Sequence, residues 1–253
     1  MKKLNTRDIR KAKGQKIQML TCYDYQTAQL YNELDVDMLL VGDSLGNVVL
    51  GFDSTIPVSV EMMKIFGAAV KRGAPEKFVI VDMPYGSYAT VEQGLKAGAE
   101  IFQHTQCEAV KLEGAFEVEL QTIKRLTQMG TPVMGHIGLT PQSVHQMGGY
   151  FTHGKDEQSA KRLKEEALKL QDAGCFSIVL ECVTSELAQE ITQSLQIPTI
   201  GIGSGHLTDG QVLVTNDLLK LGQNTPPKFV KPIADFYSEK KKVLTQYLKD
   251  QRA

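Results

Sequence analysis

The chain has 253 residues with a formal net charge of −1 at pH 7, and 42% of its residues are hydrophobic. This balanced charge gives no indication of nucleic-acid or anionic-membrane binding, and no apolar run is long enough to span a bilayer. The polar start over residues 1–16 lacks the pattern of a secretory signal. We therefore expect a cytoplasmic protein that binds neither nucleic acid nor membrane.

Short apolar segments alternate with amphipathic segments along the chain, which predicts strands and helices in regular alternation. The predicted strands span residues 17–21, 37–41, 78–81, 108–112, 132–135, 176–180, 198–202 and 211–214. The predicted helices span residues 24–34, 59–71, 90–103, 117–129, 157–173, 185–195 and 234–248. Asp24 and Thr90 stand where N-caps are expected, and Gly174 stands at a helix end.

Strands that alternate with helices are typical of a parallel sheet. About eight such units in a chain of this length predict a closed (β/α)₈ TIM barrel, formed as a single domain over residues 1–253. The alternative is an open, doubly wound sheet. Against that alternative, no Gly-x-Gly-x-x-Gly motif follows the first predicted strand.

The fourth predicted strand runs into the motif Val-Lys-Leu-Glu-Gly at 110–114. Because side chains alternate between the two faces of a strand, Lys111 and Glu113 share one face. Strands of parallel sheets are usually apolar on both faces. A buried ammonium and carboxylate cost free energy unless they are paired, bound to a metal or used in chemistry. A purely structural ion pair between the two residues is the alternative to a functional site.

Three carboxylates stand at the ends of neighbouring predicted strands, where the active site of an α/β barrel lies. They are Asp43, Asp82 and Glu113, on strands about 4.8 Å apart. Crowded carboxylates raise one another's pKa unless a cation lies between them. Oxygen ligands suit a hard ion such as Mg²⁺, so the three side chains form a candidate metal site. The alternative is that the aspartates cap helices or turns.

Three further residues near strand ends carry groups suited to substrate chemistry. Lys111 is a candidate to bind a substrate carboxylate as a point charge. His136 follows Met-Gly, and it either donates to a substrate oxygen or is a structural histidine; both interpretations remain open. Glu181 ends an apolar run and is a candidate general base, with a structural hydrogen bond as the alternative.

Glycines and cysteines add weaker signals. The turn Gly-Ile-Gly-Ser-Gly at 201–205 suits either a backbone anion cradle or, with slightly more support, a tight turn with positive φ. The four cysteines show no Cys-x-x-Cys spacing, which indicates reduced thiols rather than disulfides or a zinc site.

Five ordered motifs resemble one known family. They are Val-Gly-Asp-Ser-Leu-Gly at 41–46, Val-Lys-Leu-Glu-Gly at 110–114, Gly-His-Ile-Gly-Leu-Thr-Pro-Gln-Ser at 135–143, Leu-Glu-Cys at 180–182 and Pro-Thr-Ile-Gly-Ile-Gly at 198–203. In order and composition they resemble the 3-methyl-2-oxobutanoate hydroxymethyltransferase (ketopantoate hydroxymethyltransferase) family. The resemblance extends over residues 21–230.

This resemblance implies a Mg²⁺-dependent (β/α)₈ enzyme of the pantothenate pathway, found as cytoplasmic homodecamers. Such an enzyme transfers a hydroxymethyl group from 5,10-methylenetetrahydrofolate to 3-methyl-2-oxobutanoate and forms 2-dehydropantoate. By resemblance, Asp43, Asp82 and Glu113 form the metal site, and Glu181 is the proton acceptor. The resemblance implies substrate contacts at Asp43, Ser44, Asp82 and Lys111, to which the residue chemistry adds His136.

Some positions depart from the family pattern, among them Phe-Thr-His at 151–153, Thr184 and Ser204. None of them belongs to the expected metal site or base. Two alternatives remain open: a Mg²⁺-dependent 2-oxo acid lyase or mutase of the phosphoenolpyruvate mutase/isocitrate lyase type, and a non-catalytic barrel. The absence of a Lys-x-Cys-Gly loop argues against the lyase, and the intact set of carboxylates argues against the non-catalytic barrel.

Overall fold

A computed structural model describes residues 3–252, in which eight parallel strands close into a barrel in sequence order. The strands are β1 (Ile17–Thr21), β2 (Met38–Val41), β3 (Phe78–Asp82), β4 (Ala109–Lys111), β5 (Val133–Gly138), β6 (Ser177–Glu181), β7 (Thr199–Ile202) and β8 (Gly210–Leu213). The helices are α1 (Thr6–Lys11), α2 (Tyr25–Glu33), α3 (Leu45–Val48), α4 (Val60–Gly73), α5 (Val91–Thr105), α6 (Glu117–Gln128), α7 (Val144–Met147), α8 (Glu157–Ala173), α9 (Ser185–Ser194), α10 (Thr215–Leu218) and α11 (Phe236–Asp250). The predicted (β/α)₈ barrel is confirmed.

The chain divides into two compact units, Met1–Val212 and Leu213–Ala253. The first unit carries α1 to α9, β1 to β7 and most of β8, and the second carries α10 and α11. The single domain expected over residues 1–253 stays a prediction. Across residues 3–252, no helix is both long enough and apolar enough to cross a membrane.

Helices α2, α4, α5 and α8 each follow a residue whose side chain caps the helix. Asp24, Ser59, Thr90 and Asp156 each accept a hydrogen bond from the amide three residues further on. These bonds satisfy amides that have no partner within the first helical turn. At its other end, α8 stops at Gly174, whose φ of 109° lies in the left-handed region that glycine adopts without strain.

Apolar side chains from all eight strands fill the barrel interior. Phe78 and Phe176 meet there with ring centroids 5.5 Å apart. The helix α1, which the sequence did not predict, packs Ile9 against this core, and Ile9 is 1% exposed. Burying such a side chain stabilises the fold by about 1.5–3 kcal/mol. The four cysteines are free thiols, and three of them are buried.

The register of the strands aligns the polar residues at their carboxyl ends. Asp82 on β3 lies opposite Lys111 on β4, and Gly138 on β5 lies opposite Glu181 on β6. β5 extends further than predicted, so His136 lies within the strand and not after it. In a parallel barrel these ends meet at one mouth, which is where the candidate site is found.

Candidate active site

A cluster of ionisable side chains lies at the carboxyl ends of β2 to β6. The members are Asp43, Asp82, Lys111, Glu113 and His136, each 5% exposed or less, and Glu181, whose side chain is 15% exposed. The structure therefore brings together all six ionisable residues that the sequence singled out. Burying so many charges is costly unless they are paired, bound to a cation or used in chemistry.

Lys111 pairs with Asp82 across the two neighbouring strands, with 3.0 Å between Nζ and Oδ1. The ion pair is thus formed with Asp82 and not with Glu113, the partner considered from the sequence. Burial lowers the pKa of Lys111, but Asp82, Glu113 and Asp43 outweigh burial and raise it above its usual value. Lys111 is therefore a buried cation at neutral pH.

His136 lies between two carboxylates. Its Nδ1 is 3.3 Å from Glu113 Oε1, and its Nε2 is 3.3 Å from Glu181 Oε2. Burial and Lys111 lower the pKa of His136, but the two glutamates outweigh them and raise it to about 9. The imidazole is therefore charged at neutral pH. Its buried Nε2 forms no hydrogen bond with good geometry among the described residues, and the Glu181 carboxylate is its ion-pair partner.

Gln142, in the 3₁₀ turn after β5, connects several members of the site. Its side-chain amide donates to Asp43 Oδ2 at 2.8 Å and to the Met83 carbonyl at 3.0 Å. Its backbone amide donates to Glu113 Oε2 at 3.1 Å, and its side-chain oxygen accepts from the Tyr88 hydroxyl. Sequence reasoning placed Gln142 in a motif but assigned it no role, because a neutral amide carries no signal until its partners are known.

We expect Gln142→Ala to lower the free energy of unfolding by about 1–3 kcal/mol, because it leaves the buried Met83 carbonyl and Asp43 Oδ2 without a donor. Urea denaturation measures this change. The matched control is Gln121→Ala on the exposed face of α6, which we expect to change stability by less than about 0.5 kcal/mol. Equal effects in the two variants would show that the Gln142 bonds carry no stability.

Ser44 lies directly after Asp43, at the start of α3. Its hydroxyl oxygen is 2.8 Å from the hydroxyl of Tyr23, a buried residue that follows β1. Sequence reasoning did not assign Tyr23 to the site. Ser44 is half-buried, and its hydroxyl is positioned by Tyr23.

The cluster fits a divalent cation by three observations. Its four carboxylates outnumber its two basic groups. Burial and the charges of Asp82 and Glu113 raise the pKa of Asp43 well above its usual range. The buried Oδ1 of Asp82 accepts no hydrogen bond within residues 3–252, and its ion-pair partner is the Lys111 ammonium 3.0 Å away. Excess negative charge and carboxylate oxygens are what a hard cation requires.

Within the described chain, no group of three or more His, Cys, Asp or Glu side chains is already arranged to hold a metal ion. Mg²⁺ usually takes one or two carboxylates and completes its coordination with water or substrate oxygens. Asp43 and Asp82 meet that requirement, since the Asp43 amide donates to Asp82 Oδ2 at 3.1 Å and keeps the two residues together. The metal assignment of Asp43, Asp82 and Glu113 stays a prediction.

The glycine-rich turn after β7 supports the segment that carries Glu181. Ser204 Oγ donates to the Leu180 carbonyl at 2.8 Å and accepts from the Val183 amide at 2.9 Å. Gly203 and Gly205 have φ values of 63° and 74°, in the region expected of a tight turn. The turn thus fixes the backbone on both sides of the candidate base.

His153, in the Phe-Thr-His segment that departs from the family pattern, is a buried residue. It is 4% exposed, and its amide donates to the Cys182 carbonyl at 2.7 Å. The Thr184 amide donates back to the His153 carbonyl at 3.0 Å. This pairing holds the loop before α8 against the chain that follows Glu181. It depends on a contact between distant segments, which local composition cannot indicate.

A closed eight-stranded barrel whose mouth gathers buried acids and bases defines a (β/α)₈-barrel enzyme. Residues 3–253 match the family described as ketopantoate hydroxymethyltransferase. The chain belongs to this family and is a hydroxymethyltransferase of pantothenate biosynthesis, as expected from the sequence motifs.

Two relatives illustrate the family match. The 3-methyl-2-oxobutanoate hydroxymethyltransferase of Bdellovibrio bacteriovorus is 51% identical over 246 residues, which cover 94% of this chain and 90% of that protein. The protein of the same name from Bacillus cereus (strain G9842) is 50% identical over 239 residues, which cover 94% of this chain and 86% of that protein.

Solved structures with a similar fold come from other enzymes. A phosphonopyruvate hydrolase in complex with oxalate and Mg²⁺ aligns with a TM-score of 0.64 at 10% identity, over 85% of this chain and 81% of that chain. A 2,3-dimethylmalate lyase of the phosphoenolpyruvate mutase/isocitrate lyase superfamily aligns with a TM-score of 0.59 at 15% identity, over 82% of this chain and 80% of that one. At these identities the likeness concerns the fold alone.

Proposed function

We propose that this hydroxymethyltransferase takes its one-carbon unit from 5,10-methylenetetrahydrofolate, transfers it to 3-methyl-2-oxobutanoate and releases 2-dehydropantoate. We also propose that it requires Mg²⁺ and works in the cytoplasm as a homodecamer, as the family resemblance implies. The observation that carries the proposal is the buried cluster of four carboxylates with Lys111 and His136. This cluster offers a cation for a substrate carboxylate, a base for a carbon-bound proton and a site for a divalent ion.

The oxo acid binds through its carboxylate to Lys111 and Ser44. Lys111 is already charged and buried, so its attraction for an anion is weakly screened by water. The Ser44 hydroxyl, positioned by Tyr23, donates the second bond. When bound by Asp43 and Asp82, Mg²⁺ would supply positive charge that polarises the 2-oxo group.

Glu181 removes the proton from C3 of the bound oxo acid. Its carboxylate is the least buried of the cluster and lies at the end of β6. Negative charge then develops on the 2-oxo oxygen, and the charged imidazole of His136, beside Glu181, is the candidate donor to it. Charged donors that are held in position before the reaction stabilise such an enolate without reorganisation.

The enolate then forms the new carbon–carbon bond. The bond from the donor's methylene carbon to N10 opens first; its electrons stay on N10, which takes up a proton, and water adds to the iminium carbon left on N5. N5 then leaves with its electron pair and a proton, and the methylene carbon is released at the level of formaldehyde. C3 of the enolate attacks this carbon while the formaldehyde oxygen takes up a proton to become the hydroxyl group of the product. One methylene unit and one water molecule are consumed, and no oxidation or reduction occurs.

The first half of this reaction needs no folate, which makes it a direct test. We expect the protein, incubated in D₂O with 3-methyl-2-oxobutanoate and Mg²⁺, to exchange the C3 proton for deuterium as followed by NMR. EDTA should stop the exchange by removing the metal. Without enzyme, exchange should proceed only at the background rate.

Each outcome has a clear consequence. Exchange that depends on both protein and metal supports enolisation at this site, and product formation on adding the folate donor completes the test. No exchange by folded, metal-loaded protein would contradict the proposed mechanism. Cleavage of the oxo acid in place of exchange would favour chemistry of the lyase type.

A further inference from the structure

A cavity of about 650 Å³ opens beside the ionisable cluster. Glu113, a member of that cluster, lines the cavity, and so does its neighbour Gln142. The volume falls within the range of about 300–1,000 Å³ that is typical of ligand sites. A small branched oxo acid held by Lys111 would occupy little of it. The cavity therefore has room for a second and larger reactant next to the first.

Two polar atoms in the wall of this cavity lack partners. Glu119 Oε2, on α6, and His153 Nε2 are both buried, and neither has a hydrogen-bond partner among residues 3–252. His153 as a whole is 4% exposed. Buried polar atoms are nearly always hydrogen-bonded, so two orphans in one cavity wall indicate a missing polar ligand. One orphan is a carboxylate oxygen, which accepts, and the other is an imidazole nitrogen.

Aromatic side chains surround the same cavity. Phe116, Tyr85 and Phe151 line it and are 77%, 54% and 48% exposed. The Phe151 ring also stacks on His153, with 4.4 Å between ring centroids. Large aromatic side chains are usually buried, and a group of exposed ones around a cavity is suited to stacking on a flat ring. The cavity thus combines a stacking surface with unsatisfied polar atoms.

We propose that this cavity binds the reduced pterin ring of the folate donor, with Glu119 as the residue that recognises the pyrimidine edge of the ring and Phe116 as a stacking surface. This inference rests on the proposed function, because the donor is part of that proposal. It adds a defined site, residue by residue, for the second substrate.

Glu119 and a pterin ring are complementary, because the carboxylate accepts hydrogen bonds and the edge of the ring donates them. The 2-amino-4-oxo pyrimidine ring presents an N–H and an amino group side by side. A carboxylate accepts from such a pair of donors with both oxygens, as it does from the fork of an arginine. Binding of the ring would give Glu119 Oε2 a hydrogen-bond donor. The ring carbonyl or a ring nitrogen would then face the cavity wall that contains His153 Nε2.

Arg162, at the rim of the cavity, is the candidate contact for the anionic tail of the donor. Arg162, on α8, lines the cavity and also lines an adjoining surface depression together with Lys161. The Arg162 side chain is 60% exposed and lies 3.5 Å from Glu166, so most of its donors remain free. Asp156 and Glu165 line the same depression, so a tail that ends in carboxylates would pass the Arg162 guanidinium at a rim of mixed charge.

The test compares Glu119→Gln with Glu117→Gln, the same change on the exposed side of the same helix. Losing a hydrogen bond to a charged group corresponds to about a 10- to 100-fold change in affinity. We expect Glu119→Gln to raise the KM for 5,10-methylenetetrahydrofolate by that factor, with folate-free deuterium exchange of the oxo acid unchanged. We expect Glu117→Gln to match the wild type in both assays.

Calorimetric titration of tetrahydrofolate into each protein gives a second readout that needs no turnover. The expected result is binding to the wild type, with affinity reduced in Glu119→Gln and also in Phe116→Ala, which tests the stacking surface. Tetrahydrofolate that binds all four proteins equally, or does not bind the wild type, would overturn the proposal. Loss of exchange in the wild type would instead contradict the proposed function, so the two failures are distinguishable.

Discussion

Glu181→Gln is expected to lose most of its turnover, by about 10²- to 10⁴-fold, which is the usual contribution of a positioned general base. The substitution keeps the size of the side chain but removes its ability to accept the C3 proton. The oxo acid should still bind, because the proposed contacts of its carboxylate end are Lys111 and Ser44, and neither is changed. A fall in kcat with little change in KM is the signature of an interaction used in the transition state.

The measurement is the rate of folate-free deuterium exchange, which isolates proton removal from the later steps. The matched control is Glu186→Gln, an exposed glutamate in the first turn of α9, which should exchange at the wild-type rate. An unaffected exchange rate in Glu181→Gln would remove Glu181 from the role of base. His136, 3.3 Å from the Glu181 carboxylate, would then be the next residue to substitute.

Much of the fold could be predicted because its signals are local. Residues 157–173 form a helix with the predicted bounds, since the apolar period, the cap at Asp156 and the stop at Gly174 all lie within one segment. The first strand also has the predicted bounds, 17–21. The short α1 was missed because six residues give too little periodicity, and its formation depends on packing Ile9 against the barrel.

The candidate site could be predicted as a set of residues but not as a set of contacts. The general rule that barrel strands present their carboxyl ends at one mouth was enough to group Asp43, Asp82, Glu113 and Glu181. Strand register was not readable from alternation, so the sequence could not show that Lys111 pairs with its cross-strand neighbour Asp82.

The roles of neutral residues and loop residues could not be predicted from the sequence, for a different reason. Gln142 and Tyr88 carry no charge, and their importance comes from the several partners that the fold brings to them. His153 is buried only because its backbone pairs with Cys182 and Thr184. Such roles arise from tertiary contacts, and a single sequence without those contacts gives them no distinguishing pattern.

Asp82→Ala is expected to weaken Mg²⁺ binding by about 100-fold or more, and binding of the oxo acid with it. Loss of a residue that only supports a ligand costs about 10- to 100-fold in metal affinity, so loss of a ligand should cost at least as much. The variant also removes the partner of Lys111 and one of the charges that raise the pKa of Asp43. Asp43 should therefore ionise more readily, yet one carboxylate fewer remains for the ion.

Calorimetric titration of Mg²⁺, with and without 3-methyl-2-oxobutanoate, separates metal affinity from substrate affinity. Asp53→Ala, in the exposed loop between α3 and α4, is the control and should bind both ligands as the wild type does. A melting temperature close to that of the wild type shows that the barrel is intact. Normal Mg²⁺ affinity in a folded Asp82→Ala variant would exclude Asp82 as a ligand. The role of Asp82 would then be to pair with Lys111, whose ammonium lies 3.0 Å from Asp82 Oδ1.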